Sequence, residues 1–390
     1  MVPVIIPASI FAPVMLKTAW VCLWLLLLAG LCPAQDTPAV KPWSGAGIAV
    51  NAIGGKVFKH EAKFTLPIPA FSSGLDVNLV YHTYGKRQWE QRRNYPVIGF
   101  ALSYVNYGMD AVYGSCIGAY PNLTIPLLTG DKIDWTLRLG NGVGFATRQY
   151  SRINPVDTIN VAVSSTINDF IMIMTDIHYH ANDHWDIQGG ANITHISNGS
   201  FRKPNLGINM AGAHLGITYF PVTSRPPHCA SAPSLSHRYL LQLHYGMSLV
   251  SSHVSGGPLY PVYVTSAAVS RRWKGGNKLF AGIDYAYHQN IYAFLRNNEL
   301  AKGSEQARSW KSTVFAGNEF IYGRIGIVLQ AGIYLKQAYV HNPDVYEKIG
   351  GKYYLVLRER GPIKEMYVST YLKTHFNVAE FGEMGLGFSF

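Results

Sequence analysis

Strict alternation of apolar residues with small ones is the pattern that most constrains this chain, and it is clearest at the C-terminus. Met384, Leu386, Phe388 and Phe390 are apolar, and glycine or serine stands between them. Because strand side chains point alternately to opposite faces, this period of two indicates a strand with one apolar face. The pattern is typical of a strand that faces lipid in a membrane β-barrel.

The composition favours the same all-β class. The chain is 48% hydrophobic but only 14% charged, and it contains 25 tyrosines and 38 glycines. After the N-terminal segment, no stretch has the roughly 18 continuous apolar residues of a spanning helix. Strand-like segments recur along the chain between clusters of Gly, Pro, Asn and Asp. We therefore predict one transmembrane antiparallel β-barrel over residues 35–390, with about 14 strands and 12 to 16 allowed.

Residues 1–34 have the pattern of a secretory signal peptide. A short positive start around Lys17 precedes the apolar run from Trp20 to Gly30, and Ala34 offers a small residue for cleavage. Met15 is an alternative start. The exported part keeps two cysteines, Cys116 and Cys229, and the sequence leaves open whether they pair.

A histidine and a serine interrupt the apolar face of one predicted strand, 184–198. Its odd positions are apolar or glycine up to Ile193 and then become His195 and Ser197. The next predicted strand, 206–220, has Asn209 on its own apolar face. If the intervening loop forms a hairpin, all three polar side chains lie together on the lipid-facing wall near one rim.

Counting strands predicts which rim this is. The strand 184–198 is the seventh, and with both termini periplasmic the loop after it is extracellular. The three residues would then lie at the depth of the outer leaflet, where lipid A resides. A base and a hydroxyl nucleophile on a lipid-facing wall suit ester chemistry on a lipid.

The motif itself resembles a known family. His-Ile-Ser-Asn at 195–198 is followed by Pro-Asn-Leu-Gly-Ile at 204–208, inside a predicted barrel strand and the loop after it. This arrangement resembles the lipid A 3-O-deacylases (PagL), also described as acyloxyacyl hydrolase-like outer-membrane proteins, over residues of about 75–220. The resemblance implies a β-barrel of the Gram-negative outer membrane that removes the ester-linked 3-hydroxyacyl chain at the 3-position of lipid A.

The same resemblance implies roles for individual residues. Ser197 is the nucleophile and His195 the general base, while Asn205 and the backbone amides around Asn198 and Gly199 stabilise the oxyanion. No metal or organic cofactor is implied. The family has a glutamate 12 residues after the serine, where this chain has Asn209. An asparagine can orient the histidine but adds no charge, and Asp169 is an alternative acid.

The sequence also fits other functions. The chain fits a non-catalytic barrel, either a pseudoenzyme or a narrow pore, and it fits an esterase directed at phospholipids. His178, His180 and His184 have a spacing that matches no closed metal site, so we predict none.

The expected partners follow from charge and from the C-terminus. A net charge of +11 suits contact with lipopolysaccharide phosphates, and we expect no nucleic acid partner. The ending on Phe390 resembles the signature that the barrel-insertion machinery reads.

Overall fold

The computed structural model describes residues 43–59, 64–152, 159–222, 238–251, 256–273, 276–376 and 378–390. The predicted signal peptide 1–34 and Cys229 lie outside these ranges. Cys116 is buried within the barrel formed by the first half of the chain. No helix among the described residues is both long and apolar enough to cross a membrane.

The first eight strands form one closed antiparallel barrel, which we call barrel 1. It closes because the first strand pairs with both the second and the eighth. A short helix, α1 (Gln88–Arg92), lies between the second and third strands. The strands are β1 (Ala46–Val57), β2 (Ser72–His82), β3 (Val97–Asn106), β4 (Ser115–Leu128), β5 (Ile133–Ala146), β6 (Ile167–His180), β7 (Trp185–Ser197) and β8 (Ile208–Tyr219).

The second eight strands form another closed antiparallel barrel, which we call barrel 2. The ninth and sixteenth strands of the chain pair with each other and close this barrel. The helix α2 (Gln289–Asn297) follows the eleventh strand. The strands are β9 (Tyr239–Ser251), β10 (Leu259–Arg272), β11 (Asn277–His288), β12 (Trp310–Tyr322), β13 (Ile325–Lys336), β14 (Val345–Leu357), β15 (Glu365–His375) and β16 (Val378–Ser389).

This architecture corrects the prediction of a single barrel of about 14 strands. The described residues form sixteen strands, a number within the range that we allowed, but these close into two sheets rather than one. The alternating pattern could not show this, because it is the same for a strand of any barrel size. Closure depends on which distant strands pair, and a period of two does not encode that choice.

One strand, β14, lies within residues 340–362, a polar segment with Gly and Pro whose sequence predicts a loop. Its sequence carries Lys348 and Lys352, which are buried inside barrel 2. Lys348 contacts Asp284 and Glu383, while the Lys352 ammonium is 2.9 Å from Glu319. The polar side chains and the glycines led to the loop prediction, whereas Lys348 and Lys352 are paired with carboxylates in the lumen.

Both barrels hold buried ion pairs as well as apolar clusters inside, and both have an apolar outer wall. Asp76 and Arg138 form an ion pair 2.6 Å long inside barrel 1, and Lys278 lies between Glu319 and Glu365 inside barrel 2. On the outer wall of β7, Ile187 and Ile193 are 47% and 45% exposed. This is the inverted arrangement of a barrel surrounded by lipid, since exposed apolar side chains are favourable only there.

Each barrel has two rims, which we name by strand direction. Odd-numbered strands begin at the proximal rim and end at the distal rim. The two barrels contact each other at both rims. At the proximal rim, Arg93 donates hydrogen bonds to Ile321 O and to Asn277 Oδ1. At the distal rim, the loop between β7 and β8 contacts β16.

Candidate active site

His195, Ser197 and Asn209 form one chain of hydrogen bonds on the outer wall of barrel 1. Nε2 of His195 is 2.9 Å from Ser197 Oγ, and Nδ1 of the same ring is 2.5 Å from Asn209 Oδ1. An amide oxygen only accepts, so Nδ1 carries the proton and Nε2 is left to accept from the serine hydroxyl. This is the tautomer that a general base needs.

The strand register explains why the three side chains meet. His195 is directly opposite Asn209 in the pairing of β7 with β8. Ser197 is two residues after His195 and therefore points to the same side of the sheet. The sequence predicted this shared face and the hairpin, and the structure confirms that the three residues lie together.

The site lies where the apolar wall ends. Ser197 is the last residue of β7 at the distal rim, and it is only 6% exposed despite its outward direction. Along the same wall, towards the proximal rim, Ile193 is 45% exposed and Leu215 is 67% exposed. An acyl chain in the membrane can therefore run along an apolar surface and bring its ester group to the polar rim.

The loop after Ser197 is held by hydrogen bonds from several sides. Asn205 Oδ1 accepts from the backbone amide of Asn198 at 3.0 Å. The Asn198 side chain in turn donates to Ser165 Oγ at 3.1 Å, and Gly207 N donates to Ala162 O at 2.8 Å. The loop between β5 and β6 thus supports the loop that follows the serine.

These hydrogen bonds show which of the groups expected to stabilise an oxyanion are already used and which remain. The Asn198 amide is already used by Asn205 and holds the loop together. Within the described ranges, neither the amide of Gly199 nor Nδ2 of Asn205 donates a hydrogen bond. These two groups are therefore the donors that remain beside Ser197.

Gly207 is a site residue whose role sequence reasoning missed. Its φ is +76°, and a β-carbon placed on it would be 3.0 Å from His195 Cε1 and 3.4 Å from Ser197 Cβ. A side chain here would be strained and would press on the imidazole. The sequence signal was its place in the Pro-Asn-Leu-Gly-Ile motif, but the prediction put Gly207 inside a strand, whereas β8 begins at Ile208.

Asp169 lies on the same outer wall but has its own partner. It is directly opposite Ser197 in the pairing of β6 with β7. Its carboxylate accepts a hydrogen bond from Asn141 Nδ2 at 2.7 Å. The structure thus brings Asp169 close to the site, while the hydrogen bond from His195 Nδ1 goes to Asn209.

The predicted histidine group lies elsewhere, at the proximal rim. His180 lies between Asp134 and Asp186, at 3.1 and 2.8 Å. His184 Nδ1 contacts the backbone oxygen of Phe220. Within the part of the chain that the structure describes, no group of three or more histidine, cysteine or acidic side chains could hold a metal ion.

Two family models match the chain, one for each barrel. The model of lipid A 3-O-deacylase (PagL) matches residues 73–218, and that of the acyloxyacyl hydrolase C-terminal domain (PagL_C) matches residues 237–390. The chain belongs to the PagL family. PagL proteins are lipid A deacylases and hence ester hydrolases, and this PagL-family protein is a β-barrel protein of the Gram-negative outer membrane.

Solved structures of other barrels align with this PagL-family protein at low identity. Neisserial surface protein A (NspA) is 11% identical, with 45% of this chain and 97% of that chain covered and a TM-score of 0.32. The outer membrane enzyme PagL is 15% identical, with 45% and 99% covered and a TM-score of 0.30. A Rhodopseudomonas blastica porin triple mutant is 10% identical, with 88% and 100% covered and a TM-score of 0.19. No curated protein matches.

Proposed function

We propose that this protein is a serine esterase that removes the ester-linked 3-hydroxyacyl chain from the 3-position of lipid A. The observation that carries the proposal is the hydrogen-bonded chain from Ser197 through His195 to Asn209 on the lipid-facing wall. Family membership supports lipid A as the substrate. A nucleophile that faced inward at this height would lie among the buried side chains of Ile196 and Phe170, out of reach of acyl chains in the membrane.

Acylation begins at Ser197. As Oγ attacks the ester carbonyl carbon, its proton passes to Nε2 of His195, and the carbonyl oxygen becomes an oxyanion. Collapse of this intermediate breaks the bond to the sugar oxygen, which leaves with the proton from Nε2. The acyl group is then an ester of Ser197, and the lipid A product carries a free 3-hydroxyl.

Deacylation uses water in the same geometry. His195 takes a proton from water, whose oxygen attacks the acyl-enzyme carbonyl, and the proton then returns to Ser197 Oγ. The 3-hydroxy fatty acid leaves. In both steps the Gly199 amide and Asn205 Nδ2 donate to the oxyanion, and Asn209 keeps the ring oriented. No step needs a metal or an organic cofactor.

The position of the site in the membrane is part of the proposal. When the first and last strands of each barrel have their outer ends on the periplasmic side, the proximal rim is periplasmic and the distal rim lies in the outer leaflet. Lipopolysaccharide is then the partner at the site, and its lipid A chains lie against the exposed leucines and isoleucines below Ser197. At the other end of the chain, the terminal Phe390 is proposed to be read by the barrel-insertion machinery.

Mass spectrometry of lipid A tests the activity. Cells that express the protein should lose one 3-hydroxyacyl mass from lipid A, and the loss should vanish in Ser197→Ala. Ser304→Ala, in a loop of barrel 2, is the matched serine control and should keep the activity. An unchanged lipid A profile at full expression would refute the proposal and support a non-catalytic barrel. Fatty acid released from phospholipids with intact lipid A would assign a phospholipid esterase.

A further inference from the structure

The loop that carries the proposed oxyanion donors is bonded directly to the second barrel. Gly382 N, in β16, donates to Gly199 O at 3.1 Å, and Ser200 Oγ donates to Ala379 O at 2.8 Å. We call these two hydrogen bonds the distal clamp. They join the two residues that follow the Ser197-Asn198 pair to a strand that lies about 180 residues later in the chain.

The edge of β16 in barrel 2 has backbone groups that are free for this contact, because its pairing with β9 ends before Gly382. The pairing of β16 with β9 includes residues from Met384 onward, so Gly382 lies just beyond the last paired residue on that edge. The backbone N–H and C=O of one strand residue point to the same edge. The Gly382 carbonyl is bonded there by the Ser248 hydroxyl, and the Gly382 amide extends outward to Gly199. Leu372 lies alongside, because a β-carbon placed on Gly199 would be 3.6 Å from its Cδ1.

The clamped residues have a backbone conformation that needs support. Gly199 has a φ of +60° and Ser200 a φ of +66°. Glycine adopts such values readily, but a serine in this region persists only when surrounding contacts hold it. The clamp bonds the carbonyl of Gly199 and the hydroxyl of Ser200 to barrel 2, so it holds Gly199 from its carboxyl side. The Gly199 N–H is joined to the clamped carbonyl through one Cα, and its direction therefore depends on where the clamp holds that residue.

We propose that barrel 2 is a positioning element of the active site. It holds Gly199 and Ser200 so that the Gly199 amide faces the oxyanion formed at Ser197. Gly382 and Ala379 are positioning residues, since they act through the loop and do not touch the reacting atoms. The inference rests on the proposed function, and it gives the second barrel a role in catalysis that a neighbouring pore would not have.

Two variants of the full-length protein test the clamp from both sides. Ser200→Ala removes the hydroxyl bond to Ala379 O, and Gly382→Pro removes the amide that bonds Gly199 O. Ser304→Ala is the matched control, because the Ser304 hydroxyl also donates to a backbone oxygen, that of Ala301 at 3.0 Å, away from Ser197. Each purified protein is assayed on lipid A in mixed micelles by release of 3-hydroxy fatty acid. The folded fraction is measured by the heat-dependent shift of barrel mobility on gels.

The expected result is a fall in kcat with little change in KM. A neutral hydrogen bond is worth about 1 kcal/mol, so each clamp variant should lower kcat per folded molecule by about 3- to 10-fold. KM should stay within about twofold, because the apolar wall that binds the acyl chain is unchanged. A purely structural role would lower the folded fraction and leave kcat per folded molecule as it was.

The outcomes separate this inference from the proposed function. If the wild-type protein releases no 3-hydroxy fatty acid, the proposed function fails. If it is active and both clamp variants keep the wild-type kcat, the proposed function survives and the positioning role of barrel 2 is refuted. Should Gly382→Pro fail to fold, Ser200→Ala decides alone, since it changes one loop hydroxyl.

Discussion

Replacing Asn209 by aspartate is the sharpest test of the candidate triad. Aspartate has the same length as asparagine, so Asn209→Asp puts a carboxylate oxygen where Oδ1 now lies, 2.5 Å from His195 Nδ1. Glutamate, which the family has at this position, is longer by one methylene and would have to bend away. The aspartate variant therefore changes the charge of the third member and almost nothing else.

The expected gain follows from the charge that develops on His195. When the ring accepts the serine proton it becomes an imidazolium, which Asn209 orients but does not neutralise. Two opposite unit charges about 4 Å apart attract by roughly 4 kcal/mol at an effective dielectric constant of 20. Desolvation of the new carboxylate offsets part of this, so a net gain of about 1–3 kcal/mol is expected. That corresponds to a rise in kcat of roughly 5- to 150-fold.

Single-turnover release of 3-hydroxy fatty acid from lipid A measures this step. Asn209→Leu, which has a similar size but no hydrogen bond, should lower kcat below the wild-type value. The reasoning is refuted if folded Asn209→Asp and Asn209→Leu both keep the wild-type rate. Asp169→Asn is then the informative variant: a loss of rate there, with no gain in Asn209→Asp, would make Asp169 the source of the charge.

Three further substitutions test the oxyanion donor, the imidazole contact and the lumen of barrel 2. Asn205→Asp keeps the acceptor for the loop amide but removes the Nδ2 donor, so kcat on lipid A should fall about 100-fold; an unchanged kcat would exclude this donor. Gly207→Ala should lower kcat about 10-fold by pressing on His195, whereas Gly303→Ala, at a similar φ of +79° with nothing within 4 Å, should not. Glu319→Leu removes a carboxylate partner of the buried Lys278 and Lys352 and should lower the free energy of unfolding in urea by about 3–5 kcal/mol. A loss of less than about 1 kcal/mol would contradict this and indicate that water screens the charges in the lumen.

The site was largely predictable because its members are close in sequence. His195 and Ser197 share a face through the period of two, and a hairpin brings Asn209 opposite His195. The support of the site was less predictable. The use of the Asn198 amide by Asn205, and the contact of Gly207 with the imidazole, depend on the path of an irregular loop. No periodicity describes such a path.

The second half of the chain shows the other limit. The polar, glycine-containing sequence of β14 predicted a loop, because a sequence pattern does not reveal a partner carboxylate on another strand. Lys348 is buried only because Asp284 and Glu383 are beside it in the lumen. Charge patterns of barrel interiors are thus misleading until the strands that face each other are known.

The sequence by itself determined the class of fold and the chemistry of the site. Alternation along each strand sets which side chains face outward, and it placed a base, a hydroxyl and an amide on one wall. The tertiary structure decided how many barrels there are and what holds the loop after Ser197. Both depend on pairing between residues far apart in the chain, such as Gly199 with Gly382. Local periodicity carries no information about such pairs, because it describes a strand and not its neighbour.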